Sequence, residues 1–164
     1  MKLRHNFTHR HLGHLFGLST SAITNITCKW IDILHALLFV GIMQTVGIPS
    51  RYKNMNSMPQ SFDTFGRARI TIDCTEIQCA VPCRSMTNQS ATFSHYKQRN
   101  TFKGLIGVAP NGAITFVSEL YSGSVSDKQI VIHGNFLQKM NPGDLILADK
   151  GFLLHDITFL KESE

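Results

Sequence analysis

Two aspartates stand out for the company they keep. Asp73 lies in Arg67-Ala-Arg-Ile-Thr-Ile-Asp-Cys-Thr-Glu-Ile77, where Ile70 and Ile72 alternate with other residues, so the stretch reads as a half-buried strand. Asp73 has the opposite parity from those apolar anchors. Asp149 ends the short apolar run Leu145-Ile-Leu-Ala148 and is followed by a Gly-containing turn. Two strands that each deliver a carboxylate imply one shared cation, because paired carboxylates repel unless a cation or donor lies between them. A hard divalent ion such as Mg²⁺ takes one or two carboxylates, keeps several waters and accepts phosphate oxygens. That donor set suits in-line phosphoryl displacement.

Further stretches share an order with these two. Ile72-Asp-Cys-Thr-Glu-Ile77, Ser94 to Lys103, Pro110 to Ser118, Gly123-Ser-Val-Ser-Asp-Lys128 and Pro142-Gly-Asp-Leu-Ile-Leu-Ala-Asp-Lys-Gly-Phe152 resemble the successive motifs of the DDE endonuclease domain of PIF/Harbinger-type transposases. The resemblance implies an RNase H-like fold and metal-dependent cleavage of DNA phosphodiesters. It puts Asp73 and Asp149 on the first two catalytic, metal-holding positions, with Mg²⁺ or Mn²⁺ as cofactor. The family's third carboxylate is a Glu on a helix well downstream, and Glu162 and Glu164 stand too near Asp149 to take that place. The expectation is therefore a truncated domain, and a catalytically inactive, domesticated or decayed copy that binds DNA or a protein is the alternative.

Composition sets the frame for these motifs. The chain has 164 residues, 43% hydrophobic and 16% charged, which is ordinary for a globular protein and enough for one core plus a small module. A formal charge of +5 leans toward an anionic partner such as DNA. Met1 to Arg10 is polar and basic with no secretory signal, so the four cysteines are expected as reduced thiols in a nuclear or other intracellular setting. Cys79 and Cys83 have half of a zinc spacing without a second ligand pair, and inert thiols are the simpler reading. Ile31 to Ile48 is strongly apolar, but it contains Asp32, His35 and Gln44 and is broken by Gly41 and Gly47. A membrane span needs about 20 nearly uncharged residues, so a buried helix is expected there, and no membrane.

Residues 1–47 read as a helix-turn-helix-like module. Thr8 to Phe16 forms a short helix with Leu12, Leu15 and Phe16 on one face, Gly17 breaks it, and Ser19 caps a longer helix. Thr20, Ser21 and Thr24 near the start of that second helix are the candidate DNA contacts, while an ordinary helical hairpin would show the same pattern. His5, His9, His11 and His14 read as a solvated or phosphate-facing cluster. Residues 48–66, with Pro49, Pro59 and several turn formers, read as a linker.

Residues 67–164 are expected to form an α/β unit, an incomplete RNase H-like mixed sheet. Gln78 to Tyr96 reads as a loop. Lys97, Arg99 and Lys103 place positive charge where phosphates could be held, with a solvated face or a structural role for the lysines as the plainer reading. A hairpin turns at Pro110-Asn111-Gly112. A helix capped by Ser126 or Asp127 runs to about Lys139, with Ile130, Val131, Phe136 and Leu137 inward. The following strand then lies parallel to the Asp73 strand by a right-handed crossover. Glu76, three residues beyond Asp73, falls on the other face and reads as structural.

Overall fold

The structure, a computed structural model, describes residues 1–83 and 85–152. It divides into two compact units, Met1–Thr45 and Val46–Glu164.

In the first unit, α1 (Lys2–His5) leads into α2 (His9–Phe16). Thr8 caps α2 by accepting the amide hydrogen of His11, and Gly17 ends it with φ of 64°, a conformation that needs no Cβ. Ser19 caps α3 (Thr20–Leu34) through the amide of Ala22. The two helices meet at Leu12, Gly13 and Ile23, all buried. Gly13 is required by the turn that follows α2, since a Cβ there would lie 2.7 Å from the carbonyl oxygen of Leu18. Leu15 and Phe16, expected on the inward face, are exposed, since the buried side of α2 runs through Leu12 and Gly13.

The helix of α3 continues as a π-helical stretch, His35–Met43, and a last α turn, Gln44–Val46. The buried helix expected for residues 31–48 is not found. Ile26, Trp30, Ile31, Ile33, Leu37 and Leu38 are among a long set of exposed apolar side chains. Thr20–Val46 is in fact long and apolar enough to cross a membrane by length and composition. Asp32, His35 and Gln44 are too few to change that.

The second unit is a six-stranded mixed sheet with helices, so the molecule is α/β with a helical N-terminal part. Residues 48–66 fold onto this unit instead of forming a loose linker: they carry α4 (Arg51–Met55) and a 3-10 turn, Gln60–Phe65, and Ile48 enters the core. Buried Asn54 donates to the carbonyl of Arg69 at 2.8 Å, fastening the segment to the sheet. Strand β1 (Ala68–Gln78) follows. The expected loop after it contains α5 (Met86–Thr92), capped by Ser85, and a two-residue strand β2 (Phe93–Ser94).

Strand β3 (Arg99–Val108) runs antiparallel to β1, and its other edge is shared by β2, β4 (Ile114–Val117) and β5 (Tyr121–Ser122). The β3–β4 turn is closed by Gly112 N donating to Ala109 O at 2.9 Å, and Gly112 alone takes positive φ, 86°. Pro110 and Asn111 thus form an ordinary turn ending in a left-handed glycine, not a tight turn with two positive angles.

Helix α6 (Asp127–His133) carries a capping box between Ser126 and Gln129. It stops earlier than expected because Gly134 and Asn135, the latter with φ of 55°, leave helical geometry, and a 3-10 turn, Leu137–Lys139, completes the connection. Strand β6 (Leu145–Ala148) then pairs parallel with β1. The core lies on one sheet face: Ile70 and Ile72 of β1, Leu105 of β3 and Phe116 of β4 close against Ile130, Val131, Phe136 and Met140, with Ile48 and Phe152 at the margins.

Candidate functional site

The parallel pairing of β1 with β6 decides where the two aspartates stand. Its register runs through Thr71 opposite Leu147 to Ile72 opposite Ala148. Asp73 is the next residue of β1, and Asp149 is the first residue after β6. Asp73 thus continues inside β1, opposite Ile106 of β3, whereas Asp149 lies just past the last paired residue of β6, a strand about 4.8 Å from β1. Both are exposed. Each carboxylate accepts the amide hydrogen of its successor, Cys74 N to Asp73 Oδ1 at 2.8 Å and Lys150 N to Asp149 Oδ1 at 2.7 Å.

Two exposed carboxylates are hard oxygen donors of the kind a divalent cation takes alongside water and phosphate. Among the described residues no group of three or more His, Cys, Asp or Glu side chains is arranged to hold a metal ion. Glu162 and Glu164 lie outside the described residues.

The β1–β6 pairing is accompanied by contacts of residues the sequence pattern did not single out. Arg69, buried in β1, pairs with buried Asp144 just before β6, and its guanidinium also donates to the carbonyls of Pro49 (2.9 Å) and Ile48 (3.3 Å). Asp144 further accepts the amide of Asn141 at 2.8 Å, and Leu145 N donates to Arg67 O at 3.2 Å. The available signal was a charge inside a run of strand residues, since an arginine flanked by buried neighbours needs an internal partner.

The opposite face of β1 is organised differently. Glu76 lies there, as strand parity predicts, and accepts the Thr101 hydroxyl at 2.8 Å. Lys103 is largely buried; its ammonium donates to Asp127 at 3.0 Å and to the Val125 carbonyl at 3.1 Å, with Glu76 at 3.8 Å. Of the two roles open to it, Lys103 therefore takes the internal one, and its expected contact with DNA is corrected: an ammonium tied to two carboxylates inside the fold is withdrawn from solvent. Asp127 serves this ion pair while Ser126 caps the helix. Burial, and then the nearby Asp127 carboxylate, push the Cys74 thiol up to about 12.

The remaining basic candidates stay outside. Lys97 sits with its ammonium 4.5 Å from the ring centre of exposed Tyr96. Arg99 donates to the Lys97 carbonyl and to Gln78, both at 3.1 Å, on the exposed start of β3. In the first unit Thr20 and Ser21 are exposed at the head of α3, where Ser21 Oγ lies 3.1 Å from Ser19 Oγ. Thr24 is half-buried, bonded to the Thr20 carbonyl and to His9 Nδ1, both at 2.9 Å, so it joins the two helices. Cys28 and Cys83 are exposed and Cys74 and Cys79 half-buried, all as free thiols.

Residues 72–164 match the family model described as DDE superfamily endonuclease, and residues 1–39 match the one described as helix-turn-helix of DDE superfamily endonuclease. No curated protein and no solved structure matches the chain.

Proposed function

The chain belongs to the DDE superfamily endonucleases, and on that premise we propose that it is a transposase-derived nuclease domain of PIF/Harbinger type whose Asp73 and Asp149 hold Mg²⁺ or Mn²⁺ against the phosphates of DNA. The observation that supports this reading is the Ile72–Ala148 register pair, after which Asp73 follows within β1 and Asp149 follows the end of β6. The antiparallel β1–β3 pairing, the α6 crossover and the parallel β6 support an RNase H-like assignment of the sheet.

In this reading each residue has a separate task. Asp73 and Asp149 supply oxygen ligands and, by their charge, select a hard cation. A bound divalent ion activates water and stabilises charge on a transferring phosphoryl group. Exposed Lys97 and Arg99 attract the DNA backbone, a contribution that carries no sequence preference. Thr20 and Ser21 at the head of α3 face DNA as the recognition helix of a helix-turn-helix does, with Thr24 bracing α3 on α2. A DNA partner goes with a nuclear or other intracellular working compartment.

Metal titration of the 164-residue chain tests the site. Weak Mn²⁺ binding, followed by calorimetry or by loss of the free-ion resonance signal, is expected to fall in both Asp73→Ala and Asp149→Ala. Binding that neither substitution changes would end the proposal. Phosphoryl transfer depends on positioning and electrostatics, and this reading offers the metal two carboxylates. Plasmid nicking by this chain is therefore expected to be undetectable, and robust Mg²⁺-dependent nicking lost in Asp73→Ala would reveal a further ligand.

A further inference from the structure

The four histidines at the beginning of the chain are arranged unequally, and the arrangement separates one of them from the rest. On α2, Leu12 and Gly13 turn toward α3 and are buried, whereas Arg10, His11 and His14, at spacings of one, three and four, occupy the opposite, exposed arc. His9 is on the inner side, with its Nδ1 engaged by Thr24. His5 of α1 joins the outer group through Phe7: the Phe7 ring stacks on His5 at 5.4 Å and meets His11 at 4.7 Å between ring centres. One phenyl ring thus holds two imidazoles on the surface next to Arg10 and His14.

Resting on the reading of this unit as a DNA-binding helix-turn-helix, we infer that the outward face of α2, Arg10, His11 and His14 with His5 of α1, is a phosphate-contacting surface whose hold on duplex DNA is set by histidine protonation. In a helix-turn-helix the first helix crosses the phosphate backbone, and this face of α2 is the one left free by α3. An imidazolium donates from both ring nitrogens, whereas a neutral imidazole keeps one as an acceptor, which a phosphate oxygen cannot satisfy. Histidine is also the side chain whose charge changes between about pH 5 and 8.

The charges around the face favour the same outcome. Residues 1–45 contain the fixed cations Lys2, Arg4, Arg10 and Lys29 against the single acid Asp32, and five histidines at 5, 9, 11, 14 and 35. Histidines therefore outnumber the fixed cations, and their protonation more than doubles the net positive charge of the unit. The element packed against α2 brings only Lys29 and Asp32 as charged groups. From α1 come Lys2, tied to Asn6 Oδ1 and the Phe7 carbonyl, and Arg4. Phe7 accommodates the charged form, because a ring face attracts a cation lying over it. Protonation then strengthens the surface without dispersing it.

Anisotropy titrations of the full chain with a random-sequence duplex, over a range of salt and with EDTA present to remove metal bridging, test the inference at about pH 8 and about pH 5.5. Affinity is expected to rise about tenfold or more at the lower pH. The slope of log affinity against log salt should steepen by about 0.9 for each histidine recruited to a phosphate. The double variant His11→Gln, His14→Gln should lose most of that gain, and His14→Arg should tighten binding at the higher pH. Both positions are exposed, so folding is preserved, and circular dichroism verifies it. Binding with equal slopes at both pH values, or a double variant that keeps the full gain, overturns this inference alone. Absence of binding at both pH values overturns it together with the DNA-binding reading.

Discussion

From Val46 onward the chain closes ten apolar side chains into one cluster, from Ile48 to Phe152, between a sheet face and the α6 connection. The first 45 residues bury two, Leu12 and Ile23, and leave most of a 27-residue apolar helix exposed. The first unit is the richer of the two in apolar residues, yet the second is the one that forms a core. A sheet gathers strands distant in sequence on one face, so apolar residues from 48 to 152 converge, whereas a long helix spreads its side chains around a cylinder that a single eight-residue partner cannot cover. Stability of the second unit is therefore internal, while the first owes little to its own packing.

Core deletion gives the largest test of that contrast. Phe136→Ala, which removes a fully buried ring stacked edgewise on Phe116 at 5.1 Å, is expected to cost about 3–5 kcal/mol in denaturant unfolding of the second unit. Ile33→Ala on exposed α3 should shift stability by less than about 0.5 kcal/mol. Comparable costs at the two positions would break the comparison.

The Arg69–Asp144 pair sharpens it at the site. Arg69→Ala leaves a buried carboxylate uncompensated and is expected to cost about 3–5 kcal/mol, whereas replacing both partners by apolar residues should cost much less. Because this pair ties β1 to the segment entering β6, Arg69→Ala is also expected, on the proposed metal reading, to weaken Mn²⁺ binding while the chain is still folded; equal metal affinity in the variant would show that the pair does not support the proposed site.

A smaller effect is expected where the first unit does pack. Gly13→Ala drives a methyl group against the backbone carbonyl of Leu18 and should cost roughly 1–3 kcal/mol at the turn that follows α2, read as lost helical circular dichroism in residues 1–45. Least costly is a labelling test. With its thiol pushed up to about 12, Cys74 stays protonated and should react with maleimide at about pH 8 far more slowly than exposed Cys28 and Cys83.

Local pattern carried much of this organisation. Alternation at Ile70 and Ile72 located β1, Ser19 and Ser126 marked helix starts, and Gly17 and Gly112 marked the ends that need positive φ. These features are legible because period, caps and turns depend on residues within a few positions of one another. The sheet parity of Asp73 and Glu76 followed from the same period of two, which assigns faces without knowing what covers them.

What the sequence could not decide was partnership. Periodicity makes residues 20–46 a helix but does not say whether anything packs on it, and the expected burial failed for that reason. Turn formers in 48–66 and polar residues in 78–96 concealed α4 and α5, whose stability comes from contact with the sheet and not from propensity. Lys103 looked like a phosphate ligand until Glu76 and Asp127, 27 and 24 residues away, enclosed its ammonium. The strand pairing beside Asp73 and Asp149 is accompanied by the Arg69–Asp144 pair, which joins residues 75 positions apart in the chain. By itself the sequence determined which side chains each strand and helix would present, because that is set by local geometry. Only the tertiary structure decided which of them meet, because those pairings are selected by burial and charge compensation between segments that local geometry leaves independent.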